Sequence, residues 1–366
     1  MNSIMSSTLA LTSISAVFAL LLTLADRTIG DYGEVMLTIN NDKELTVKAG
    51  SSLLSTLIEE KIFIPSACGG KGTCGYCKVQ VHEGGGPVLA TETPFLTAEE
   101  LKDDIRLSCQ CKVKQNIEIE IPEDLFNVKE YDVVVESITD MTDVIKLVRF
   151  RLPEGEEINF KAGQYVQLKA PLYEGNDEEI YRAYSIASNP SDKNHIDLVI
   201  GYVAQGIATT YVHRHLQVGD VAHINGPYGD FYYQQDSDRE MVMVAVGTGI
   251  APILSILNHM AENDIKRKAV FYFGAKTPAD LFLLDYFKEL EEKLYDFTFV
   301  PTLSRAAEED NWTGEEGRVN NAIEKLLTDG EHKEAYLCGG APMIDSVTKA
   351  LMNKGIPEEL IFFDKF

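Results

Sequence analysis

The sequence predicts a multidomain protein that combines α+β and α/β folds. An N-terminal transmembrane helix, a small α+β domain, an antiparallel β-barrel and a doubly wound parallel sheet are expected in that order. Three observations predict this architecture: five of the six cysteines fall within residues 68–111, short alternating β patterns fill residues 131–234, and buried strands alternate with helices from residue 239 onward. The 366 residues exceed what one core usually holds, so two to three domains are expected.

The composition excludes several classes of protein. An apolar fraction of 45% and a charged fraction of 25% are typical of a folded globular chain, not of a disordered, collagen-like or disulfide-stapled one. The 33 basic and 57 acidic residues give a formal charge of −24, which would repel a phosphate backbone. Nucleic-acid binding is therefore excluded. No single site in the sequence accounts for the excess of acidic residues.

The first 25 residues carry no charged side chain and are rich in apolar ones. This stretch is long enough to cross a bilayer as a helix, which takes about 20 residues. A cleaved signal peptide is the alternative, because Thr23-Leu24-Ala25 resembles a cleavage site. Against it, no basic residue precedes the apolar run, and export would expose the clustered cysteines to oxidation. We therefore expect an uncleaved anchor at residues 1–27, and the basic flank that begins at Arg27 favours a cytoplasmic body.

The segment after the anchor predicts a small sheet crossed by one helix. Alternating runs at residues 35–39 and 44–48, separated by Asn40-Asn41-Asp42-Lys43, indicate a β-hairpin. Ser52 then opens an amphipathic helix. Further strands are expected at residues 77–81, 106–111 and 117–121, and Pro122 closes the module.

Residues 131–234 predict a small antiparallel barrel, because short β patterns are separated there by regular turn signals. The expected strands are 132–138, 144–152, 165–168, 181–186, 195–203 and 222–225. A continuous apolar run at 241–246 and a helical pattern at 252–263 follow, and then come strands at 268–273, 297–302 and 334–338 with helices between them. This alternation predicts a parallel doubly wound sheet.

The cysteine spacing indicates metal ligation. Cys68, Cys74 and Cys77 follow the pattern C-x5-C-x2-C, and Cys109 comes after 31 intervening residues. The glycines between the first three cysteines allow a tight loop whose backbone N–H groups are free to point at bridging sulfides, which favours an iron–sulfur cluster. A structural zinc site would more often show two separate C-x2-C pairs, and only one is present.

The strings SACGGKGTCGYC at residues 66–77 and RLSCQ at 106–110 resemble a [2Fe–2S] ferredoxin domain. The first gap has five residues rather than the four of plant-type ferredoxins. The resemblance implies a β-grasp fold and a [2Fe–2S] cluster ligated by Cys68, Cys74, Cys77 and Cys109. Because the family pattern ends Leu-x-Cys-Gln, it also implies that Cys111 is a small apolar core residue.

The string RAYS at residues 182–185 resembles the R-x-Y-S motif of the ferredoxin–NADP reductase superfamily. By residue type, Arg182 can clamp the diphosphate of FAD, Tyr184 can lie flat on the isoalloxazine ring, and Ser185 can hydrogen-bond near N5. Gly206 and Thr209 add a loop where the backbone and a hydroxyl can approach the diphosphate. A tyrosine that merely packs in the core is the alternative for Tyr184 alone. The order of the motifs, followed by GPYG at 226–229, favours FAD.

The string GTGIAP at residues 247–252 follows an apolar strand and opens a helix. Gly247, Thr248 and Gly249 would let a pyrophosphate approach the helix N-terminus. The string CGGAPM at 338–343 matches the superfamily element C-G-x-x-P-M, which implies that it places nicotinamide against the flavin. Cys338 is then a neighbour of hydride transfer, or else only a buried strand cysteine, and Gly339, Pro342 and Met343 help to bind the nucleotide.

The sequence motifs leave two candidate nucleotides, NADH and NADPH. No acidic residue follows the strand at 268–273 to bind a ribose 2′-OH, although Asp280 is a candidate substitute. Ser304-Arg305 resembles a 2′-phosphate site, so NADPH stays open, while the resemblance favours NADH. In relatives a terminal aromatic ring stacks on the flavin. Phe366 is therefore the candidate lid, and a merely buried C-terminal Phe is the alternative.

Over its whole length the chain is similar to the family of F subunits of the sodium-translocating NADH:quinone oxidoreductases. The strings EIPEDLF at residues 120–126 and EDNWTG at 309–314 extend the resemblance beyond the cofactor motifs. It implies a transmembrane anchor at 1–27, a [2Fe–2S] ferredoxin domain at 33–125, an FAD-binding barrel at 129–235 and an NADH-binding domain at 236–366.

The implied function is that of an NADH-oxidising component of an enzyme, held by one span in the inner (plasma) membrane with its soluble domains in the cytoplasm. FAD would take a hydride from NADH and release single electrons to the cluster, and membrane partner subunits would couple quinone reduction to sodium transport. The rivals are a soluble reductase that serves an oxygenase and a membrane-tethered reductase that does not pump. A nonenzymatic iron–sulfur module would have no use for the flavin and nucleotide motifs.

Overall fold

The structure, a computed structural model, describes residues 12, 14–19, 32–122, 125 and 128–365. This part of the chain divides into two compact units, with the boundary between Val128 and Lys129. The predicted anchor at 1–27 lies outside the described residues, apart from residues 12 and 14–19, which are helical. Among the described residues, no helix combines the length and the apolar character needed to cross a membrane.

The first unit contains five strands: β1 (Glu34–Ile39), β2 (Lys43–Lys48), β3 (Lys78–Glu83), β4 (Ile105–Leu107) and β5 (Ile117–Glu120). They form one mixed sheet in the order β2-β1-β5-β3-β4. β1 and β2 make the predicted antiparallel hairpin, β1 pairs in parallel with β5, and β3 pairs antiparallel with both β4 and β5. The predicted hairpin is confirmed. The parallel pairing of β1 with β5 could not be predicted, because it joins segments that are distant in the sequence.

Helix α1 (Leu53–Glu59) supplies the other half of this core. Ser52 caps it, because its Oγ accepts a hydrogen bond from the backbone N–H of Ser55 at 3.1 Å. Leu53 and Leu57 are fully buried and belong to the same hydrophobic cluster as the strands. A helix packed on a mixed sheet is the β-grasp arrangement. A short helix, α2 (Ala98–Lys102), follows on the segment between β3 and β4.

The predicted strand at residues 106–111 is wrong in its second half. β4 ends at Leu107, whose carbonyl oxygen accepts hydrogen bonds from the N–H groups of Gln110 at 2.8 Å and Cys111 at 3.0 Å. These bonds form a turn, so Cys109 lies in a turn and not on a strand. The physical reason is that the chain bends there to bring Cys109 beside the cysteine loop.

The second unit begins with six strands: β6 (Lys129–Thr142), β7 (Ile145–Arg151), β8 (Tyr165–Ala170), β9 (Ile180–Ser185), β10 (His195–Gly201) and β11 (Val221–Tyr228). All neighbours in the order β10-β7-β6-β11-β8-β9 are antiparallel. A bridge between Ile186 and Leu198, with a 2.8 Å hydrogen bond from the Ala187 N–H to the Asp197 carbonyl, joins the two edges. The six predicted strands and their closure into a barrel are confirmed.

The rest of the second unit holds a parallel sheet of six strands: β12 (Glu240–Val246), β13 (Ala269–Ala275), β14 (Phe297–Leu303), β15 (Glu315–Glu316), β16 (Lys333–Gly339) and β17 (Ile361–Lys365). Their order is β15-β14-β13-β12-β16-β17, and every pair is parallel. The four predicted strands are confirmed. β15 and β17 were not predicted, because each is a short edge strand that depends on its neighbour for pairing.

Helices cover both faces of this sheet. Met243 and Val244, adjacent on β12, belong to different hydrophobic clusters and so point to opposite faces. The first cluster includes Leu257 and Phe287, and the second includes Ile323 and Val347. The helices of the second unit are α3 (Ile207–Thr210), α4 (Ile250–Glu262), α5 (Leu284–Lys293), α6 (Val319–Leu326) and α7 (Ala341–Asn353). The predicted doubly wound arrangement is therefore present.

Candidate redox sites

The cysteine loop, residues 66–77, turns with glycine backbones in the left-handed region. Gly72 and Gly75 have φ angles of +69° and +75°, which other residues rarely adopt. A Cβ at position 75 would also lie 2.9 Å from Cδ1 of Phe95. Glycine at this position is therefore required both by the backbone conformation and by the close approach of the Phe95 ring.

The four predicted ligand thiols form two pairs. Cys74 Sγ lies 3.3 Å from Cys68 Sγ, and the Cys77 thiol donates a hydrogen bond to Cys109. The bond from its partner lowers the pKa of Cys68 to about 4 and that of Cys109 to about 7, and the donating thiols Cys74 and Cys77 have raised pKa values. In each pair, one sulfur atom therefore donates a hydrogen bond and the other accepts it.

Backbone N–H groups of the loop also point at these sulfur atoms. After the bond from Cys74, the N–H groups of Thr73 and Lys71 further lower the pKa of Cys68. After the bond from Cys77, the N–H of Gly72 does the same for Cys109. The loop therefore presents donors to thiolates, which is the arrangement that stabilises anionic sulfur.

These residues fit a two-iron cluster. A [2Fe–2S] cluster takes four cysteine thiolates, and two separate pairs of thiols suit two iron ions. In the described part of the chain, no three His, Cys, Asp or Glu side chains converge as a single metal ion would require. Ser108, whose N–H donates to the Cys77 carbonyl at 2.8 Å, is fully buried. Its hydroxyl contacts the Cys77 sulfur and opposes the rise in the pKa of that thiol, as a donor to a thiolate would.

Cys111 has different contacts. It is buried in the hydrophobic core of the first unit, where burial raises its pKa, and its thiol donates to the carbonyl oxygen of Gly85 at 3.5 Å. The same carbonyl accepts from Arg106, which forms a buried ion pair with Glu92 at 2.6 Å. The sequence analysis missed this pair. An arginine within a short apolar strand signals a buried acidic partner, but several glutamates are equally close in the sequence.

Arg182, Tyr184 and Ser185 all lie on β9, with Arg182 and Tyr184 on one face of the strand. Tyr184 is half-buried against the barrel core, and burial raises its pKa while Arg182 opposes that rise. Arg182 donates from Nη1 to the carbonyl of Tyr181 at 2.8 Å. The strand therefore presents a guanidinium and a phenol ring side by side, as FAD binding by this motif needs.

Gly206 is the residue before α3, and Thr209 lies within this short helix. The Thr209 hydroxyl donates to the Val203 carbonyl at 3.1 Å and accepts from the Val203 N–H at 3.2 Å. It thereby closes the loop on itself. The predicted contact with a diphosphate would require this hydroxyl to exchange a bond within the loop for one to the ligand.

Ser185 meets two residues from the parallel sheet. Its Oγ donates to Oδ2 of Asp364 at 3.0 Å, and Cys338 lies directly opposite Asp364 in the β16–β17 register. Cys338 is fully buried, so burial raises the pKa of its thiol, and the charge of Asp364 raises it further. Burial also raises the pKa of Asp364. The structure thus brings together the predicted Ser185 and Cys338.

The sequence analysis missed Asp364. An acidic residue within the aromatic C-terminal run was the available signal. The predicted lid, Phe366, lies outside the described residues, which end at Lys365.

Glycines let the ends of β12 and β16 meet. Gly247–Gly249 forms a tight helical turn between β12 and α4. A Cβ at Gly249 would lie 2.2 Å from the carbonyl oxygen of Cys338, and one at Gly339 would lie 2.6 Å from Cε of Met343. Both glycines are therefore needed for the close packing of the two predicted nucleotide motifs.

A cavity of about 530 Å³ lies at the carboxyl ends of the parallel strands. Open α/β sheets bind their ligands at this edge. The cavity is lined by the predicted residues Gly247, Thr248, Pro342 and Met343. Its position and its lining make it the candidate nucleotide site.

The charged lining of this cavity differs from the expectation. Ser304 lines it, but its predicted neighbour Arg305 is exposed, and the arginine among the described lining residues is Arg318. Asp280 also lines it, with Oδ2 accepting from the N–H of Thr277 at 2.9 Å and from its hydroxyl at 2.8 Å. The sequence analysis missed Arg318, which enters from a separate loop. In the sequence, the one feature that could have indicated Arg318 was its position after Gly317 and directly before a helix.

Three family models match consecutive segments of the chain. They are the 2Fe-2S iron-sulfur cluster binding domain at residues 37–114, the oxidoreductase FAD-binding domain at 132–233 and the oxidoreductase NAD-binding domain at 243–349. The matches confirm the predicted [2Fe–2S], FAD and NADH cofactors at the level of the domains. They coincide with the β-grasp unit, the barrel and the parallel sheet.

Solved structures with the same fold include the cytochrome P450 reductase GcoB of Amycolatopsis and the ferredoxin reductase in carbazole 1,9a-dioxygenase. The first is 26% identical with a TM-score of 0.72, and the second is 22% identical with a TM-score of 0.70. Each alignment covers 91% of this chain and 98% of the other chain. At such identities the likeness to the second structure concerns the fold alone.

Curated relatives are more similar in sequence. The F subunit of the Na(+)-translocating NADH-quinone reductase of Neisseria meningitidis is 36% identical over 97% of both chains. The protein of the same name from Marinomonas sp. is 37% identical over 91% of both chains. The chain belongs to the family of Na(+)-translocating NADH-quinone reductase F subunits.

Proposed function

We propose that this protein is the NADH-oxidising subunit of a sodium-translocating NADH:quinone oxidoreductase. Electrons would pass from NADH through FAD to a [2Fe–2S] cluster. The observation that carries the proposal is the presence of all three cofactor-binding domains, in one order, on a chain similar to named F subunits over 97% of its length. A bound flavin converts a two-electron donor to one-electron transfer, which explains why the three domains occur together.

The proposed cluster ligands are Cys68, Cys74, Cys77 and Cys109. The pairing of Cys68 with Cys74 and of Cys77 with Cys109 supports one pair of thiolates for each iron ion. The backbone N–H groups of the loop would then stabilise the negative charge on the ligands. Cys111 would pack in the core without ligating.

The proposed flavin residues are those of β9 and of the start of α3. Arg182 neutralises the diphosphate, Tyr184 covers the flavin ring, and Gly206 and Thr209 bring backbone and hydroxyl groups to the diphosphate. Ser185 would present its hydroxyl oxygen to the reacting ring, because its proton is donated to Asp364 in the 3.0 Å hydrogen bond.

The proposed nucleotide residues line the cavity and its rim. Gly247, Thr248 and Gly249 let the pyrophosphate approach, while Gly339, Pro342 and Met343 contact the nicotinamide half. Cys338 excludes water beside the transferred hydride, because its thiol is apolar, buried and held protonated by a raised pKa. Phe366 would cover the flavin face until the nicotinamide displaces it.

The domain limits and the location belong to the same proposal. Residues 1–27 would anchor the chain by one span in the inner membrane, followed by cytoplasmic domains at 33–125, 129–235 and 236–366. Membrane subunits of the complex would accept the electrons from the cluster and couple quinone reduction to sodium transport. The uncharged first 25 residues support the anchor, and the family supports the partners.

The experiment is purification of the full chain in mild detergent, with absorption and EPR spectra before and after NADH. We expect flavin and iron–sulfur absorption, both bleached by NADH, and copurification of the membrane subunits. A colourless protein that takes up only zinc would overturn the cluster assignment.

A reductase that delivers electrons to an oxygenase is the second candidate. The observation in its favour is the 26% identity to a cytochrome P450 reductase with a TM-score of 0.72. Rapid electron transfer to a soluble oxygenase, with no quinone reductase subunits in the detergent extract, would support this candidate over the first.

A further inference from the structure

The side chain of Gln110 lies between a proposed cluster ligand and a threonine hydroxyl. Its Nε2 is 3.6 Å from Cys109 Sγ, a hydrogen-bonding distance for a sulfur acceptor, and its Oε1 accepts from Thr91 Oγ1 at 2.9 Å. The amide is thereby bound at both ends. A ligating thiolate carries no proton, so the end of the amide that faces it must be the N–H donor.

The surrounding backbone leaves room for this amide and holds it in place. Gly72 has a φ of +69°, and a Cβ there would lie 2.6 Å from Nε2 of Gln110. On the other side, Thr91 is followed by Glu92, whose carboxylate is fully buried and bound to Arg106. The threonine that orients the amide therefore directly precedes a residue that is fixed in a buried ion pair.

We propose that Gln110, oriented by Thr91, is a positioning residue that raises the reduction potential of the [2Fe–2S] cluster by donating an N–H···S hydrogen bond to Cys109. The inference rests on the proposed function, which makes Cys109 a ligand. Reduction adds one electron to the cluster, so the charge on its thiolate ligands grows. A hydrogen bond to such a ligand is stronger in the reduced state and favours reduction.

The effect requires the amide, because an apolar side chain of similar size has no N–H to donate to the sulfur.

The test is an EPR-monitored redox titration of the full chain carrying Gln110→Leu, with Gln115→Leu as the matched control. Gln115 is exposed five positions further on, so the control makes the same chemical change on the same unit. We expect the midpoint potential of the cluster to become more negative in Gln110→Leu and to stay unchanged in Gln115→Leu. Equal potentials in the two variants, with intact cluster signals, would overturn the inference.

Substitutions at Thr91 test whether the orientation of the Gln110 amide, and not only its presence, affects the cluster potential. Thr91→Val removes the hydroxyl that holds Oε1, and Thr91→Ser retains it. A potential shifted to more negative values by valine and restored by serine is expected. Identical potentials in both variants would contradict the role assigned to Thr91.

The unsubstituted protein provides a readout that does not depend on whether a variant folds. With ¹⁵N in the glutamine side-chain amides, pulsed EPR of the reduced cluster should show coupling to one such nitrogen. Absence of that coupling would overturn the inference even if Gln110→Leu failed to assemble. Absence of any cluster signal in the unsubstituted protein would instead overturn the proposed function.

Discussion

The hydroxyl of Ser185 donates a 3.0 Å hydrogen bond to the carboxylate of Asp364, 179 residues further along the chain. This bond joins the end of β9 in the barrel to the edge strand β17 of the parallel sheet. Asp364 also lies opposite Cys338 in the β16–β17 register. The three side chains therefore define the place where the flavin and the nicotinamide would meet.

Asp364→Ala is expected to slow flavin reduction by NADH about 5-fold, because one orienting hydrogen bond contributes about 1 kcal/mol. Asp364→Asn retains an acceptor for Ser185 and should recover much of the rate. Stopped-flow absorption of the flavin measures both. The cluster spectrum serves as the control, since Asp364 belongs to the second unit and the cysteines to the first. Equal rates in the alanine variant and the unsubstituted protein would exclude the role.

The pKa of Asp364 is raised in the folded protein, and this direction determines how the carboxyl affects stability as the pH changes. Burial raises the pKa of this carboxyl, so its contribution to stability is complete below the unfolded pKa and is lost as pH rises through the folded value. Asp364→Asn should therefore raise the flavin-reported melting temperature at pH 7 and have little effect near pH 3. The opposite order of the two effects would show that the carboxylate is stabilised in the fold.

The buried pair of Arg106 and Glu92 gives the first unit a different pH dependence. Burial alone would raise the pKa of Glu92, but the hydrogen bonds from Arg106 and from two backbone N–H groups lower it. Its contribution to stability is therefore present above the unfolded pKa and lost as pH falls through the folded value. Glu92→Gln should lower the urea midpoint for cluster bleaching at pH 7, with a cost of about 3–5 kcal/mol for breaking a buried pair.

The difference between Glu92→Gln and the unsubstituted protein should shrink as the pH falls through the folded pKa of Glu92, because the protonated carboxyl is then neutral, as the glutamine is. Glu118→Gln is the control, because the Glu118 carboxylate is partly exposed and Arg106 forms its ion pair with Glu92. A constant difference at all pH values would contradict the assignment of the effect to the charge of Glu92.

Alanine at Cys68, Cys74, Cys77 or Cys109 is expected to abolish the cluster EPR signal and to spare flavin reduction by NADH. Cys111→Ala should keep the signal, because its thiol contacts the Gly85 carbonyl in the core, and should cost about 1 kcal/mol of stability. Loss of the signal in Cys111→Ala together with its retention in Cys109→Ala would reverse the ligand assignment.

Arg318→Gln is expected to weaken NADH binding about 10-fold, because a charge-assisted hydrogen bond to a phosphate contributes about 1.5 kcal/mol. Arg305→Gln is the matched control, since both arginines are exposed but Arg318 lines the cavity and Arg305 does not. Titration of flavin fluorescence with NADH measures both affinities. A larger loss in Arg305→Gln would support the 2′-phosphate-like site at Ser304-Arg305 instead.

Gly249→Ala should impair the nucleotide site without touching a ligand directly. The added Cβ would lie 2.2 Å from the Cys338 carbonyl, so β16 and the turn after β12 must separate, at a cost of about 1–3 kcal/mol. We expect weaker NADH binding and a lower melting temperature of the second unit. At Gly155 a Cβ meets nothing within 4 Å but φ is +84°, so Gly155→Ala should lower the melting temperature through backbone strain and leave NADH affinity unchanged.

Local patterns were sufficient for most of the fold. The hairpin at β1 and β2, the six barrel strands and four strands of the parallel sheet follow from alternation, apolar runs and turn residues that lie within a few positions of one another. The cysteine loop is equally local, since Cys68, Cys74 and Cys77 occupy one short segment. The strand assigned to Cys109 was wrong because its turn depends on contacts with that loop.

Sequence patterns therefore established the domain order, the cofactor classes and the motifs, because each is written in contiguous residues. The partners of those motifs came from the folded chain. Ser185 and Asp364 are 179 residues apart, and Glu92 and Arg106 are 14 apart. Gln110 turns its side chain back onto the neighbouring Cys109, and Arg318, rather than Arg305, lines the cavity. Such contacts depend on backbone packing that no local periodicity encodes, which is why they appear only once the strands and loops are assembled.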